Sequence, residues 1–231
     1  MKRSRSMIKA IIFDMDGVLI DTEKHFVKAW QDAAHECGVM EFGLEHALML
    51  RSMAAEFAEP AMKEIFGIDF PYKEIRTRRK ELMEQRLKGR NIEAKPEAEE
   101  VLRALQIHGY RFAIATASDF VRAVRYLTQA GLIEYFDRKN IICATELEHG
   151  KPYPDIYLYA CEKLGEKPED CVAIEDSPNG IMSAYRAGTN VIMVPDLTQP
   201  DEELSKMLTG KIGSLGELLS YLNIEEQGEK R

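Results

Sequence analysis

The chain has 231 residues, and 31 Lys+Arg against 39 Asp+Glu give a formal net charge of −8. With 45% hydrophobic and 30% charged residues it has a globular composition, which excludes disordered, collagen-like and fibrous chains. The acidic balance is a poor footprint for nucleic acid or an anionic membrane, and neither is expected as a partner; a small anionic substrate would need local positive charge or a metal ion.

Residues 1–6 are basic and read as a tail, with Met7 as an alternative start and no signal-peptide core after it. Ile8 to Phe13, interrupted by Lys9, reads as a strand ending at Asp14. Residues 22–89 hold no comparable strand and read as helices. Phe26, Ala29, Trp30, Ala33 and Ala34 form one apolar stripe at helical spacing; Ile75, Leu82, Met83 and Leu87 form a weaker one.

From about residue 95 helix and strand alternate. Pro96 opens a helical pattern through Val101, Leu102 and Leu105 that stops at Gly109, and a strand at 111–116 follows. Helix 119–130 stops at Gly131, before a short strand at 141–143. Helix 154–164 stops at Gly165, with a strand at 171–175; helix 178–187 stops at Gly188, with a strand at 191–194. Glycine just past each helix, followed by a β-branched run, marks repeated αβ units, and such units build a parallel sheet covered on both faces. The fold class is therefore α/β: a doubly wound, Rossmann-like core over residues 7–20 and 95–222, with an inserted α-helical cap domain over 21–94 and tails at 1–6 and 223–231.

The four cysteines, Cys37, Cys143, Cys161 and Cys171, form no CxxC pair, which points to reduced thiols in a cytoplasmic protein. No segment approaches the length of a membrane span, and a monomer is expected.

In open α/β sheets ligands bind at the carboxyl ends of the strands. Here those ends deliver Asp14-Met15-Asp16-Gly17, Thr116-Ala117-Ser118, Gly150-Lys151-Pro152 and Glu175-Asp176-Ser177-Pro178. Four carboxylates in one cleft raise one another's pKa, and a hard divalent cation with oxygen ligands, commonly Mg²⁺, resolves the conflict. A lysine, two hydroxyls and helix N-termini beside such an ion form a phosphate site.

Asp14-Met15-Asp16-Gly17-Val18, Thr116, Lys151 and Glu175-Asp176, in this order at successive strand ends, resemble the four motifs of the haloacid dehalogenase (HAD) superfamily, over essentially residues 8–222. The insertion after the first motif is similar to the helical, C1-type cap subgroup. The stretches 150–157 and 174–180 resemble the sugar-phosphatase and β-phosphoglucomutase branch. The resemblance implies a Mg²⁺-dependent phosphatase acting on a small phosphorylated metabolite, a sugar phosphate foremost, through an aspartyl-phosphate.

By that resemblance Asp14 is the nucleophile and Asp16 the general acid and base. Asp14, Asp16 (by its carbonyl), Glu175 and Asp176 hold the metal, Lys151 neutralises the phosphoryl group, and Thr116, Ala117 and Ser118 bind its oxygens. In the cap, His25 and Arg79 align with substrate-side residues of the β-phosphoglucomutase group. Most of the other basic residues in 71–90, where eight Lys and Arg face three Glu, read as a solvated helix face.

The runner-up is a phosphosugar mutase. That group anchors the phosphate that is not reacting with a cap arginine and a Lys-Asn pair; here Ala55 and Asp119-Phe120 occupy those places, although Arg51 or Arg79 can supply charge instead. Asp16 argues against a metal-free dehalogenase, no distinctive Schiff-base lysine supports a phosphonatase, and intact motifs argue against a catalytically dead module.

Overall fold

The computed structural model describes residues 8–224. Residues 1–6, Met7 and the end of the chain from 225 onward lie outside them. The core elements are strands β1 (Ala10–Phe13), β2 (Arg111–Thr116), β3 (Ile141–Cys143), β4 (Cys171–Glu175), β5 (Asn190–Met193) and β6 (Gly210–Lys211). The helices are α1 (Glu23–Glu36), α2 (Leu44–Met49), α3 (Ala55–Phe66), α4 (Tyr72–Leu87), α5 (Ala98–Ile107), α6 (Phe120–Gln129), α7 (Asp155–Leu164), α8 (Pro178–Ala187), α9 (Glu202–Met207) and α10 (Glu217–Tyr221).

The strands form one parallel sheet in the order β3-β2-β1-β4-β5-β6. β1 lies between β2 and β4: the chain runs outward to β3 on one side, then returns to start β4 on the other. That reversal beside β1 is where an open α/β sheet forms its crevice. Successive side chains of β1 point to opposite faces. Ile11 and Phe13 join a core cluster with Val101, Leu105, Tyr126, Leu127 and Leu218, from α5, α6 and α10. Ala10 and Ile12 join another with Ile156, Tyr157, Ala160, Ile181 and Ala184, from α7 and α8.

Three details differ from the sequence expectation. The fifth strand begins at Asn190 and ends before Val194, whose N–H instead reaches Glu175 O at 2.8 Å. β6, α9 and α10 were not anticipated. The start of the expected C-terminal tail is ordered: Asn223 takes a left-handed φ of 57° and Ile224 is buried, its N–H on Leu219 O at 2.9 Å.

Helices α1–α4 gather a separate apolar cluster around Trp30, Ala33, Phe42, Met62 and Ile75. Trp30 stacks on Tyr72 with centroids 5.9 Å apart. Arg78–Glu36 and Arg86–Asp32 ion pairs tie the outer faces of α4 and α1 together. All four cysteines are free. Among the described residues no helix is long and apolar enough to cross a membrane.

Candidate active site

The central strand delivers Asp14. Its N–H bonds Ile174 O at 2.9 Å, continuing the β1–β4 ladder one residue past the strand and fixing the direction of the side chain. The chain then turns sharply: Gly17 has φ 90°, and a Cβ there would lie 2.2 Å from Asp176 Oδ2, so only glycine fits. Met15 points into the core, and Asp16 emerges on the side of Asp14. Asp16 Oδ1 accepts the Thr22 hydroxyl, and Asp16 Oδ2 accepts Ser118 Oγ at 3.1 Å. Ser118 Oγ in turn accepts from the Arg122 guanidinium at 2.8 Å.

Lys151 is completely buried, with a cis peptide bond to Pro152. Its Nζ donates to Asp14 Oδ1 at 2.6 Å, Glu175 Oε1 at 2.6 Å and Ala115 O at 3.0 Å. Three acceptors match the three protons of an ammonium. Burial works against the charge, but Asp14 and Glu175 outweigh it and hold the Lys151 pKa above the usual lysine range. The preceding Gly150 lies against α3's approach: a Cβ would come 2.6 Å from that of Ala54, whose N–H bonds Lys151 O at 2.9 Å.

Glu175 is saturated. Oε1 accepts Lys151 and the Tyr157 hydroxyl, the latter at 2.6 Å, and Oε2 accepts Asp176 N, Ser177 N and Ser177 Oγ at 3.1–3.4 Å. A Cβ on Gly180 would overlap the Glu175 carboxylate at 1.9 Å. Ser177 also caps α8, accepting Gly180 N at 3.2 Å, with Pro178 at the first helical position.

Carboxylate oxygens of Asp14, Glu175 and Asp176 lie within 4.8 Å of one another. Asp14 Oδ2 and Asp176 Oδ1 are buried with no hydrogen-bond partner. Two orphaned carboxylate oxygens on residues of one cluster fit a cation, because leaving them bare is costly. The hard oxygen donor set suits Mg²⁺. Asp14 and Asp176 therefore offer free lone pairs, whereas Glu175 contributes charge and its hold on Lys151. Burial first, then the Glu175 and Asp16 charges, pushes the Asp14 pKa well above the carboxylate range, although Lys151 opposes them.

Arg51, in the turn after α2, is buried over this cluster. It pairs with Asp176, with Glu23 at 2.8 Å, and with the Thr198 hydroxyl at 3.1 Å. Asn179 clasps the same turn, donating to Met49 O and Arg51 O at 3.0 and 2.8 Å. Burial raises Glu23 to about 7 despite the Arg51 charge.

Between the strand ends and α1–α4 lies a cavity of about 370 Å³. Asp14, Asp16, Ala117, Ser118 and Lys151 line its core side, and Arg79 lines the opposite wall. Thr116 is buried beneath it, its Oγ1 accepting Ser118 N at 3.0 Å. His25 is not brought to the cavity. The face of α1 that lines it runs Glu23, Phe26, Val27 and Trp30, and His25 lies off that stripe, where burial lowers its pKa.

Four participants were not read from the sequence: Thr22, Glu23, Tyr157 and Arg122. Only Arg122 had a signal, lying one helical turn after Ser118.

Comparison with known proteins agrees with this architecture. Residues 8–188 match the haloacid dehalogenase-like hydrolase family. The chain is 31% identical over 183 residues to a phosphorylated carbohydrates phosphatase of Thermotoga maritima, covering 78% of this chain and 82% of that one. It is 30% identical over 189 residues to a β-phosphoglucomutase of Bacillus subtilis, covering 78% and 80%. The crystal structure of CbbY from Rhodobacter sphaeroides in complex with phosphate superposes with a TM-score of 0.74 at 27% identity, covering 94% of this chain and 100% of that one. The chain belongs to the haloacid dehalogenase-like hydrolase family and is an enzyme of that class.

Proposed function

We propose that the chain is a Mg²⁺-dependent phosphatase of small phosphorylated metabolites, sugar phosphates foremost, which works through an aspartyl-phosphate, with residues 21–94 acting as a cap. The observation that carries this reading is the state of Asp14: one oxygen is held by Lys151 while the other is buried and bare, in a carboxylate cluster where Asp176 also has a bare oxygen. The names of relatives, a carbohydrate phosphatase among them, support the substrate class.

In this reading the Asp14 carboxylate attacks phosphorus and the ester P–O bond breaks. Asp16 gives a proton to the departing oxygen, then takes one from the water that cleaves the aspartyl-phosphate. Both partners of Asp16 are hydroxyls, Thr22 and Ser118. A hydroxyl donates to a carboxylate and, after rotation, accepts from a carboxylic acid, so this pair suits a group that must exist in both states. Lys151 orients Asp14 and offsets charge, and Thr116 with the Ala117 N–H binds phosphoryl oxygens. Asp14, Asp176 and the Asp16 carbonyl would hold Mg²⁺, with Glu175 beside them. The bound ion supplies further neutralisation of the transferring group.

Hydrolysis is favoured over the mutase. Asp119 is committed to capping α6, accepting Arg122 N at 2.9 Å, and Ala55 on the cavity wall carries no charge. The mutase stands second because Arg51 and Arg79 also face the cavity.

The test is turnover of p-nitrophenyl phosphate and a panel of phosphorylated metabolites. EDTA should abolish it, and Mg²⁺ but not Ca²⁺ should restore it. Full activity in excess EDTA refutes the site. With β-glucose 1-phosphate and a trace of the 1,6-bisphosphate, phosphate release supports the hydrolase. Glucose 6-phosphate formed much faster than phosphate overturns it.

A further inference from the structure

We propose that the cavity holds a second anion subsite, built from Arg76, Arg79 and Lys80 on α4 and Arg122 on α6, and that the substrate is a phosphate ester with another anionic group at its far end. This rests on the phosphatase reading and narrows its substrate class.

All four side chains line the cavity. Arg79 occupies a position in the apolar stripe of α4, between Ile75 and Leu82, and is only 8% exposed. Its Nε is buried without a hydrogen-bond partner, and so is that of Arg122. Among the described residues none of the four forms an ion pair. Their neighbours differ: Arg78 is paired with Glu36 and Glu81, and Arg86 with Asp32. A solvated helix face explains those neighbours but not a buried arginine with no carboxylate. An unmatched buried charge is costly and signals a missing counter-ion.

The guanidinium groups are held in place. Arg79 lies 5.0 Å from the Trp30 ring centroid and 5.4 Å from that of Phe26, and Arg122 lies 5.5 Å from the same Phe26 ring. Ring faces fix planar guanidinium groups while leaving their N–H edges free for an anion. Burial, then Arg122 and Arg76, lowers Arg79 to about 10; Arg76 is the largest influence lowering Lys80. These cations repel one another. The other acids that line the cavity have partners elsewhere: Asp119 caps α6, Glu23 is bound to Arg51, Glu56 accepts Gly150 N and Glu148 stands beside His149.

The subsite is continuous with the reacting end. Arg122 donates to Ser118 Oγ, and Ser118 donates to Asp16. A ligand with its phosphate on Asp14 and a second anion among the arginines spans one cavity.

The experiment compares matched pairs on the Mg²⁺-loaded enzyme: fructose 1,6-bisphosphate against fructose 1-phosphate, and 6-phosphogluconate against glucose 6-phosphate. At least one doubly anionic member should exceed its partner in kcat/KM by about tenfold or more, mainly through KM. Preference in the first pair alone identifies a second phosphate; preference in the second pair identifies a carboxylate. Arg79→Gln should bring the ratio towards one, and Arg79→Lys should keep part of it. Arg76→Ala, at a half-buried position outside the apolar stripe, should lower the ratio several-fold without challenging the core. Equal kcat/KM within both pairs overturns the proposal, as does a preference that survives both Arg79→Gln and Arg76→Ala. Failure of the phosphatase reading is separate: it appears as no turnover of p-nitrophenyl phosphate, which carries no second anion. Calorimetric binding of the two fructose phosphates would then still test the subsite.

Discussion

Replacing Lys151 by Met removes the central cation and keeps most of the side-chain volume. The substitution leaves Asp14 Oδ1 without its donor and takes the ammonium from Glu175 Oε1, which retains only the Tyr157 hydroxyl. Breaking a buried ion pair by deleting one partner typically costs about 3–5 kcal/mol, because a charge is stranded. Here burial and acidic neighbours already push Asp14 above the carboxylate range, and losing Lys151 removes the charge that opposes them. An expected loss at the low end of that range, about 3 kcal/mol, lowers the urea midpoint by about 1–2 M. Turnover with Mg²⁺ should fall about 10²- to 10³-fold, the scale for removing one preorganised electrostatic contact. The diagnostic is the double variant Lys151→Met/Glu175→Gln, measured by denaturation in EDTA. Neutralising the stranded Glu175 should return about 1–2 kcal/mol of what Lys151→Met removed. Strict additivity of the two single variants, or an unchanged midpoint for Lys151→Met, would refute the reasoning.

The two aspartates should separate: Asp14→Asn loses about 10⁶ in kcat, whereas Asp16→Asn loses about 10² to 10⁴ and keeps measurable turnover of p-nitrophenyl phosphate; equal inactivity of both on that substrate contradicts the assignment. Gly180→Ala drives a Cβ to within 1.9 Å of Glu175 Oε1, so it should destabilise the protein and cut turnover, although residue 180 never touches substrate; a variant with wild-type stability and activity is the contrary result. Glu23 has a folded pKa of about 7 against an ordinary 4.5, so its contribution to stability is present below pH 4.5 and is lost as pH rises towards 7. Relative to wild type, Glu23→Gln should therefore gain up to about 3 kcal/mol between those limits in EDTA, and parallel pH–stability curves would exclude it.

The αβ units were legible because each helix ends in a glycine and each strand is a short β-branched run, two signals that agree. β6 was not, because Gly210–Lys211 is two residues long and shows no alternation. α9 was missed because Leu204 is its only buried residue, too little for a periodic pattern. In the site, the residues at strand ends were readable since the sheet itself brings such ends together. Thr22 and Tyr157 were not: Thr22 stands at the start of α1, where a capping role is the natural reading, yet its hydroxyl goes to Asp16. Tyr157 shares the buried face of α7 with Ile156 and Ala160, so nothing in the pattern marks its hydroxyl as the one that meets Glu175. His25 misled because register on a helix decides which way a side chain faces, and position along the chain does not.

The pairing of β1 has a consequence for synthesis. Ala10 finds its partners in Arg111 and Cys171, on strands made long after it. α1–α4 draw their apolar cluster from residues 26–87 alone, so that unit can condense on the ribosome while the apolar Ala-Ile-Ile-Phe strand before it still waits with both edges bare. A nascent chain stopped between β3 and β4 would carry a finished helical unit and a half-made sheet with β1 at its open rim. Such a truncated product is a ready template for edge-to-edge association. Residues 171–175 thus close the sheet around β1 at the same moment as they bring Glu175 to Lys151, and the step that protects the strand is the one that assembles the charge cluster.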